Sequence, residues 1–227
     1  MKKLFIFALA ALFSFNAFAQ ESDAVYTSED GVVTLDVVEH WGYGYHVLKT
    51  DSFDASDAGE FFLNVLNFKL QPTSYLSLEL GADLRFDHFV SKVDGFELDS
   101  NKDVQVFKLA DKFGNDIKKA RGWMRVGSFS FPALIKVGGE GFKLGAGAEA
   151  VVNFSGKASY RYKLDGERHK NKAKGMAMNK FYYDFVGVVC INDWSIYAKY
   201  YPKSSTFLPD GSSVKMDYWT IGVGMDF

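Results

Sequence analysis

Ionisable residues occupy four of the five odd-numbered positions from 79 to 87, and this alternate spacing places side chains on one face of a β-strand. The positions between them, from Leu76 to Phe86, are mostly leucine. With two residues of the stretch 142–162, they form the following predicted set: Glu79, Asp83, Arg85, Asp87, Lys143 and Glu149. Such charges are costly against an apolar core, whereas a polar barrel interior lets them pair with one another. Two readings stay open, an ion-paired plug and a narrow ion path or gate.

A second cluster of charges is basic and lies between residues 157 and 174. It contains seven cations and is offset only by Asp165 and Glu167. The cations are Lys157, Arg161, Lys163, Arg168, Lys170, Lys172 and Lys174. Because Lys and Arg bind phosphate oxygens well, these residues predict a contact with lipopolysaccharide. The alternative is an ordinary solvated loop.

The sequence contains incomplete versions of one catalytic and one metal-binding motif. An acyl hydrolase needs a serine, a histidine and an acid within hydrogen-bond reach, and no spacing around His88 or the other histidines indicates such a set. The segment Asp99–Asp103 resembles half of a calcium loop, but Val104 replaces the required glycine. The formal charge of −2 is unlike that of a nucleic-acid-binding protein. We therefore predict no enzyme activity, no cofactor, no metal and no nucleic-acid partner.

The strand that best defines the architecture is the last one, 217–227. Its apolar residues alternate with small or polar ones. The apolar face begins with one aromatic residue, Trp219, and ends with another, Phe227. A strand that is apolar on one face, small on the other and aromatic at its terminus is typical of the closing strand of an outer-membrane barrel. Aromatic residues make up 17% of the chain, which suits two interfacial girdles.

The rest of the chain supplies seven further candidate strands. The eight predicted strands are 32–48, 60–70, 76–87, 121–137, 142–162, 179–191, 194–201 and 217–227. Connections after the second, fourth and sixth are short, and the others are longer, as expected for short periplasmic turns and long outer loops. The predicted fold class is all-β, an eight-stranded up-and-down antiparallel transmembrane β-barrel. Its fold-level rival is a soluble lipocalin-type barrel, which would turn Leu78 inward and Glu79 outward.

The N-terminus predicts export. Two lysines, an apolar run and Ala-Phe-Ala at 17–19 have the pattern of a secretory signal peptide. The predicted organisation is therefore a cleaved signal peptide over 1–19, a periplasmic lead-in over 20–30 and the barrel over 31–227. The predicted location is the outer membrane, with the outer-membrane lipid as a partner and a monomer as the assembly.

Two short patches resemble a known family. Ser130-Phe-Pro-Ala-Leu-Ile-Lys136 is similar to a strand signature of the PorT-like outer-membrane β-barrel domain family, although Ala133 stands where that family usually has leucine. Residues 218–227 resemble its closing strand. The resemblance implies an eight-stranded barrel without catalytic residues, and it implies that Trp219 and Phe227 belong to a C-terminal signal read by the barrel-assembly machinery.

The predicted function is a non-enzymatic outer-membrane protein with a structural or surface-binding role through its outer loops, especially 90–120 and 163–176. Two alternatives stay open. The family resemblance implies an accessory component of protein secretion or envelope assembly. A lipid-modifying barrel enzyme is the other, and it would require a convergent Ser–His–acid set.

Overall fold

The computed structural model describes residues 24–28, 32–36, 41–202 and 207–225. The predicted signal peptide, part of the lead-in and Phe227 lie outside the described residues. The described elements, in chain order, are β1 (Ala24–Thr27), β2 (Val33–Asp36), β3 (Trp41–Lys49), β4 (Ala55–Thr73), β5 (Leu76–Ser91), β6 (Asp94–Leu98), β7 (Val104–Lys108), α1 (Leu109–Phe113), β8 (Lys118–Gly139), β9 (Phe142–Leu164), β10 (Glu167–Lys174), β11 (Phe181–Ile191), β12 (Trp194–Tyr200) and β13 (Asp217–Met225).

Eight of these strands close into one barrel. Their order around the wall is β4, β3, β13, β12, β11, β9, β8 and β5, and β5 then pairs with β4. Every neighbouring pair is antiparallel. β2 pairs with residues 67–70 of β4 and so continues the line of β3 along the same edge of β4, and β1 pairs with β2. The predicted eight-stranded antiparallel barrel is confirmed.

The two faces of the wall have opposite chemistry. Leu78 is 37% exposed on the outside, whereas Glu79 is 5% exposed on the inside. The outer face continues with large apolar side chains such as Phe131, Ile135 and Ile196. An apolar outside and a charged inside match a transmembrane barrel and are the reverse of a soluble lipocalin-type barrel.

Several register irregularities interrupt the described strands, and two β-bulges within β4 and β9 bear on the candidate site. In β4, Val65 is an extra residue between the pairs Asn64–Asp83 and Leu66–Ala82. In β9, Phe154 is an extra residue, because Asn153 pairs with Ser128 and Ser155 with Gly127. One extra residue exchanges the two faces of a strand. The outward residues of β9 are therefore even-numbered from 142 to 154 and odd-numbered from 155 onward. The same effect explains the blurred alternation of residues 60–70.

The two ends of the barrel differ in their connections. At the short-turn end, two residues join each of the pairs β4–β5, β8–β9 and β11–β12. At the long-loop end, the connection after β5 folds into the β6–β7 hairpin and α1. The predicted length asymmetry is therefore present, but the predicted outer loop 90–120 contains regular structure.

The prediction of a loop over 163–176 is wrong, because this segment continues β9 and returns as β10. All eight residues of β10 pair with β9, from Glu167 opposite Leu164 to Lys174 opposite Lys157. Asp165 and Gly166 form the connection with positive φ angles of 50° and 84°. An Asp-Gly pair is a strong signal for a two-residue hairpin, since its backbone twist matches that of the flanking strands.

The end of β9 and the whole of β10, residues 157–174, form an extension of the wall. One side of this extension packs against α1. The phenol rings of Tyr160 and Tyr162 contact Phe113, with ring centroids 5.6 and 4.3 Å apart, and Phe107 meets Tyr160 at 5.1 Å. These four residues, with Leu109, form an aromatic layer. The layer fixes the orientation of the extension and leaves its other face open. Within the described part of the chain, no helix has the length and apolar character to cross a membrane.

Candidate functional site

A buried ion-pair network crosses the barrel interior and is centred on Arg85. Its guanidinium lies 3.0 Å from carboxylate oxygens of Glu60, Asp87 and Asp184, and 3.5 Å from Glu149. All five side chains are at most 2% exposed. Because these residues come from four strands of the wall, the network ties opposite sides of the barrel together.

A second buried cation shares two of these carboxylates. Lys199 Nζ lies 3.1 Å from Glu60 and 2.9 Å from Glu149. His46 extends the network, with Nε2 3.2 Å from Asp87 and Nδ1 2.7 Å from the Thr220 hydroxyl. Buried charges with this many partners are held in fixed positions, which is the property of a plug.

Three of the six predicted interior charges belong to this network, namely Arg85, Asp87 and Glu149. Glu79 and Asp83 are also buried inside the barrel but lie apart from it. Glu79 pairs with Lys136 nearer the short-turn end, and Asp83 accepts a hydrogen bond of 2.6 Å from the Asn64 amide. Lys143 lines the mouth at the short-turn end instead. Four further buried charges were not predicted from the sequence: Glu60, Lys136, Asp184 and Lys199. The inward position of Lys199 can be predicted from the alternation of residues 194–200. The inward position of Glu60 cannot, because the Val65 bulge interrupts the alternation of its strand.

The network leads to a prediction about conductance. The protein reconstituted in a planar bilayer is expected to show no steady current, because the Arg85 and Lys199 side chains and their carboxylate partners fill the lumen. Single-channel recording of wild type and Asp83→Asn checks this. Sustained current steps whose size changes in Asp83→Asn would establish a path through the lumen and contradict the plug.

The second predicted cluster forms a continuous surface on the other side of the wall. The outward rows of β8, β9 and β10 at the long-loop end carry ten cations, which we call the basic face. Its members are Lys118, Arg121, Arg125, Lys157, Arg161, Lys163, Arg168, Lys170, Lys172 and Lys174. The seven residues predicted from the sequence are all among them, and Lys118, Arg121 and Arg125 were missed because β8 lies apart in sequence.

Cations face cations across the strands of the basic face. Arg161 lies directly opposite Lys170 on one side and Arg121 on the other, and Lys157 lies between Arg125 and Lys174. The described outward rows contain no Asp or Glu, since Glu167 belongs to the opposite face with Leu164. Like charges at directly opposed positions destabilise a sheet. The cations of the basic face therefore repel one another, and a bound anion would reduce this repulsion.

Two further observations describe the electrostatics of this face. Desolvation, followed by the positive charges of Lys172, Arg168 and Arg161, lowers the pKa of Lys170. The Trp123 ring lies among the cations, 5.3 Å from the Arg161 guanidinium carbon and 5.8 Å from Lys170 Nζ. A tryptophan ring stabilises adjacent cations, but it supplies no countercharge.

The local cause of the basic face is the bulge at Phe154. Below it, even-numbered residues of β9 point outward, and the last of them is Phe154 itself. Above it, Lys157, Arg161 and Lys163 point outward, and Ala158, Tyr160 and Tyr162 are buried. The Asp165–Gly166 turn then places the cations of β10 beside them.

The basic face begins where the apolar wall ends. On β8 the outward residue changes from Phe129, 46% exposed, to Arg125, and on β9 from Phe154 to Lys157. From Val137 to Phe129, eight residues span about 20 Å along the axis at about 3.4 Å per residue and a tilt near 40°. The cations thus lie at the edge of a band suited to the hydrocarbon of a bilayer.

The remaining candidate residues have structural partners. His88 Nε2 lies 3.6 Å from Asp57 on the outer wall. Asp99 accepts backbone hydrogen bonds from Asn101 and Asp103 at 2.8 and 3.0 Å, so it caps a turn. Within the described ranges, no group of three or more His, Cys, Asp or Glu side chains is placed to hold a metal. Trp219 points outward on β13, 45% exposed.

A closed antiparallel barrel of eight strands, apolar outside and ion-paired inside, defines the class of small outer-membrane β-barrels. Among solved structures, the chain is similar to Ail, the attachment invasion locus protein of Yersinia pestis, solved in complex with the heparin analogue sucrose octasulfate. The identity is 16%, the match covers 86% of this chain and 97% of Ail, and the TM-score is 0.36. The barrel assignment rests on the strand pairing itself.

No family model and no curated protein matches the chain. Membership of the PorT-like family is therefore not supported, and the resemblance stays confined to residues 130–136 and 218–227.

Proposed function

We propose that this chain is a non-enzymatic outer-membrane barrel that binds lipopolysaccharide phosphates through its basic face. The observation that carries the proposal is the opposition of cation to cation over three neighbouring strands. Surface lysines on an edge strand alone would be explained as protection against edge-to-edge pairing. That explanation does not extend to Arg125, Lys157 and Arg161, because β8 and β9 are paired on both sides in this region.

The position of the face supports phosphate groups at a lipid surface as the ligand. The long-loop end faces the cell exterior if the short turns are periplasmic, as in other outer-membrane barrels. The cations then lie beside the head groups of the outer leaflet, at the level where lipopolysaccharide carries its phosphates. Guanidinium and ammonium groups bind such oxygens by charge-assisted hydrogen bonds.

The expected result of neutralising the outer part of the face is a loss of bound lipopolysaccharide. Replacing Lys163, Arg168, Lys170 and Lys172 with glutamine removes four charges, each contributing about 1 kcal/mol at an anionic surface. Affinity for vesicles containing lipopolysaccharide should fall by more than about a hundredfold at low salt. Vesicle co-flotation at several salt concentrations measures it.

A matched control removes the same charge elsewhere at the long-loop end. Lys92, Lys102, Lys180 and Lys215 are exposed and lie outside β8, β9 and β10. Their replacement with glutamine should leave the affinity within about threefold of wild type. Equal losses in the two variants would show that net charge alone determines binding and would refute the basic face as the site.

The secretion-accessory and lipid-modifying roles have no comparable observation in their favour. The barrel-assembly machinery as partner and the monomeric state remain predictions from the sequence.

A further inference from the structure

A groove of about 870 Å³ lies on the outer wall where the apolar wall meets the basic face. Residues of β4, β5, β8 and β9 line it, all near the long-loop end of the barrel. Its volume falls in the range of about 300–1,000 Å³ that is usual for sites of small ligands. The cations that line it distinguish this groove from the apolar outer wall described above.

The lower half of the groove is aromatic. Phe61, Phe86 and Phe154 line it and are 36%, 39% and 40% exposed. The bulge residue Phe154 is the last apolar side chain on the outward face of β9. Gly127 lies beside it, and a Cβ atom added there would be 3.1 Å from the Phe154 ring. The missing side chain of Gly127 therefore keeps the groove open next to the ring.

The upper half is cationic. Arg125 of β8 and Lys157 of β9 are directly opposed, and Arg121 and Arg161 form the next opposed pair towards solvent. The only carboxylate side chain on the outward face of the groove, among the described lining residues, is Asp57. It lies 3.6 Å from His88 Nε2 rather than among the four cations. An anion entering between Arg125 and Lys157 meets no opposing carboxylate in these two rows.

An occupant must therefore be apolar on the membrane side and anionic on the solvent side. A free phosphate would leave the aromatic half of the groove empty. An acidic peptide would offer no acyl chain to pack against that half. A membrane lipid with a phosphorylated head group satisfies both halves, and it reaches the groove by lateral diffusion, because the aromatic half is continuous with the apolar wall.

We infer that the groove binds one phosphorylated lipid of the outer leaflet, with a phosphate between Arg125 and Lys157 and an acyl chain against Phe86 and Phe154. The inference deepens the proposed function and rests on the same outward placement of the long-loop end. It adds a defined, stoichiometric site to a surface that otherwise attracts head groups without fixed number.

The test uses the full-length barrel in detergent and native mass spectrometry with diphosphoryl lipid A as the probe. Wild type should retain one lipid under conditions that strip the others. Arg125→Gln with Lys157→Gln should reduce the occupancy of this lipid at least tenfold. Dephosphorylated lipid A should compete poorly, and phosphatidylcholine should not be retained.

A steric variant separates the groove from the charge. Gly127→Leu fills the space beside Phe154 and changes no charge, so the retained lipid should be lost while salt-dependent attraction to vesicles persists. Ser155→Leu obstructs the same groove and serves if Gly127→Leu does not fold, as judged by heat-modifiable migration in gels. Lys92→Gln with Lys215→Gln removes two exposed charges outside β8, β9 and β10; this variant is the matched control for the charge pair and should behave as wild type.

The outcomes separate the two proposals. Loss of the single lipid in the groove variants, with vesicle affinity kept, supports the site. Retention of one lipid in both the charge and the steric variants overturns the groove, even if neutralising the outer cations abolishes vesicle binding. Retention of a single phosphatidylcholine equal to that of lipid A would reduce the site to an ordinary annular contact and overturn it as well.

Discussion

Deletion of Phe154 is expected to prevent the barrel from forming. Removal of the bulge residue exchanges the two faces of β9 between Ser155 and Leu164. Lys157, Arg161 and Lys163 would then point into the barrel, and Tyr160 and Tyr162 would point out. Each unpaired buried charge costs several kcal/mol. Three of them together cost about as much as the roughly 5–15 kcal/mol that stabilises a typical fold. Refolding yield, read as heat-modifiable migration in gels, measures the effect.

The matched control keeps the residue and removes its ring. Phe154→Ala retains the bulge and its register, and it loses only a side chain that is already 40% exposed. This variant should refold with a yield close to that of wild type. If the deletion also refolds like wild type, the bulge does not determine the outward position of the cations.

Arg85→Ala is expected to have the second largest effect. The substitution leaves Glu60, Asp87, Glu149 and Asp184 around an empty position, each of which now lies within 3.5 Å of the guanidinium. Breaking one buried ion pair costs about 3–5 kcal/mol, and here one cation serves four carboxylates. The free energy of unfolding, measured by urea titration in lipid vesicles, should fall by at least that amount.

Two comparison variants identify the cause of this loss. Arg85→Lys keeps the charge but not the planar fork of donors, so an intermediate loss is expected. Lys112→Ala breaks an exposed pair with Glu97, and exposed pairs contribute only about 0–1 kcal/mol. A loss in Arg85→Ala as small as that in Lys112→Ala would contradict a central role of the network.

The barrel could be predicted because much of its wall alternates without interruption. Residues 76–86 and 217–225 separate apolar from polar side chains with a period of two, and each stretch alone indicates which side faces lipid. The blurred phase of 60–70 has a definite cause in Val65, which a search for strict alternation cannot accommodate. Bulges of this kind depend on pairing with the next strand, and single-strand patterns do not contain that information.

The candidate site was predicted in part, for a similar reason. Its seven cations over 157–174 are close in sequence, but their common face depends on the Phe154 bulge and the Asp165–Gly166 turn. The Asp-Gly pair is a hairpin signal that the sequence contains. The charged residues on both sides of it instead indicated a solvated loop. Arg121 and Arg125 join the face only through the register of β8 against β9. Partners such as Asp184 and Arg85, 99 positions apart in sequence, are likewise brought together only by closure of the barrel.

The aromatic layer beneath the extension has a consequence for the order of assembly. Phe107 and Phe113 come from the connection after β5, whereas Tyr160 and Tyr162 come from the end of β9. If the long-loop end leads through the bilayer, these charged segments must cross the hydrocarbon before the layer can form. The wall then closes first and the outer layer packs last, on the far side of the membrane. Passage of the β6–β7 connection and the basic hairpin is therefore expected to limit the rate of insertion, although neither segment holds the wall together.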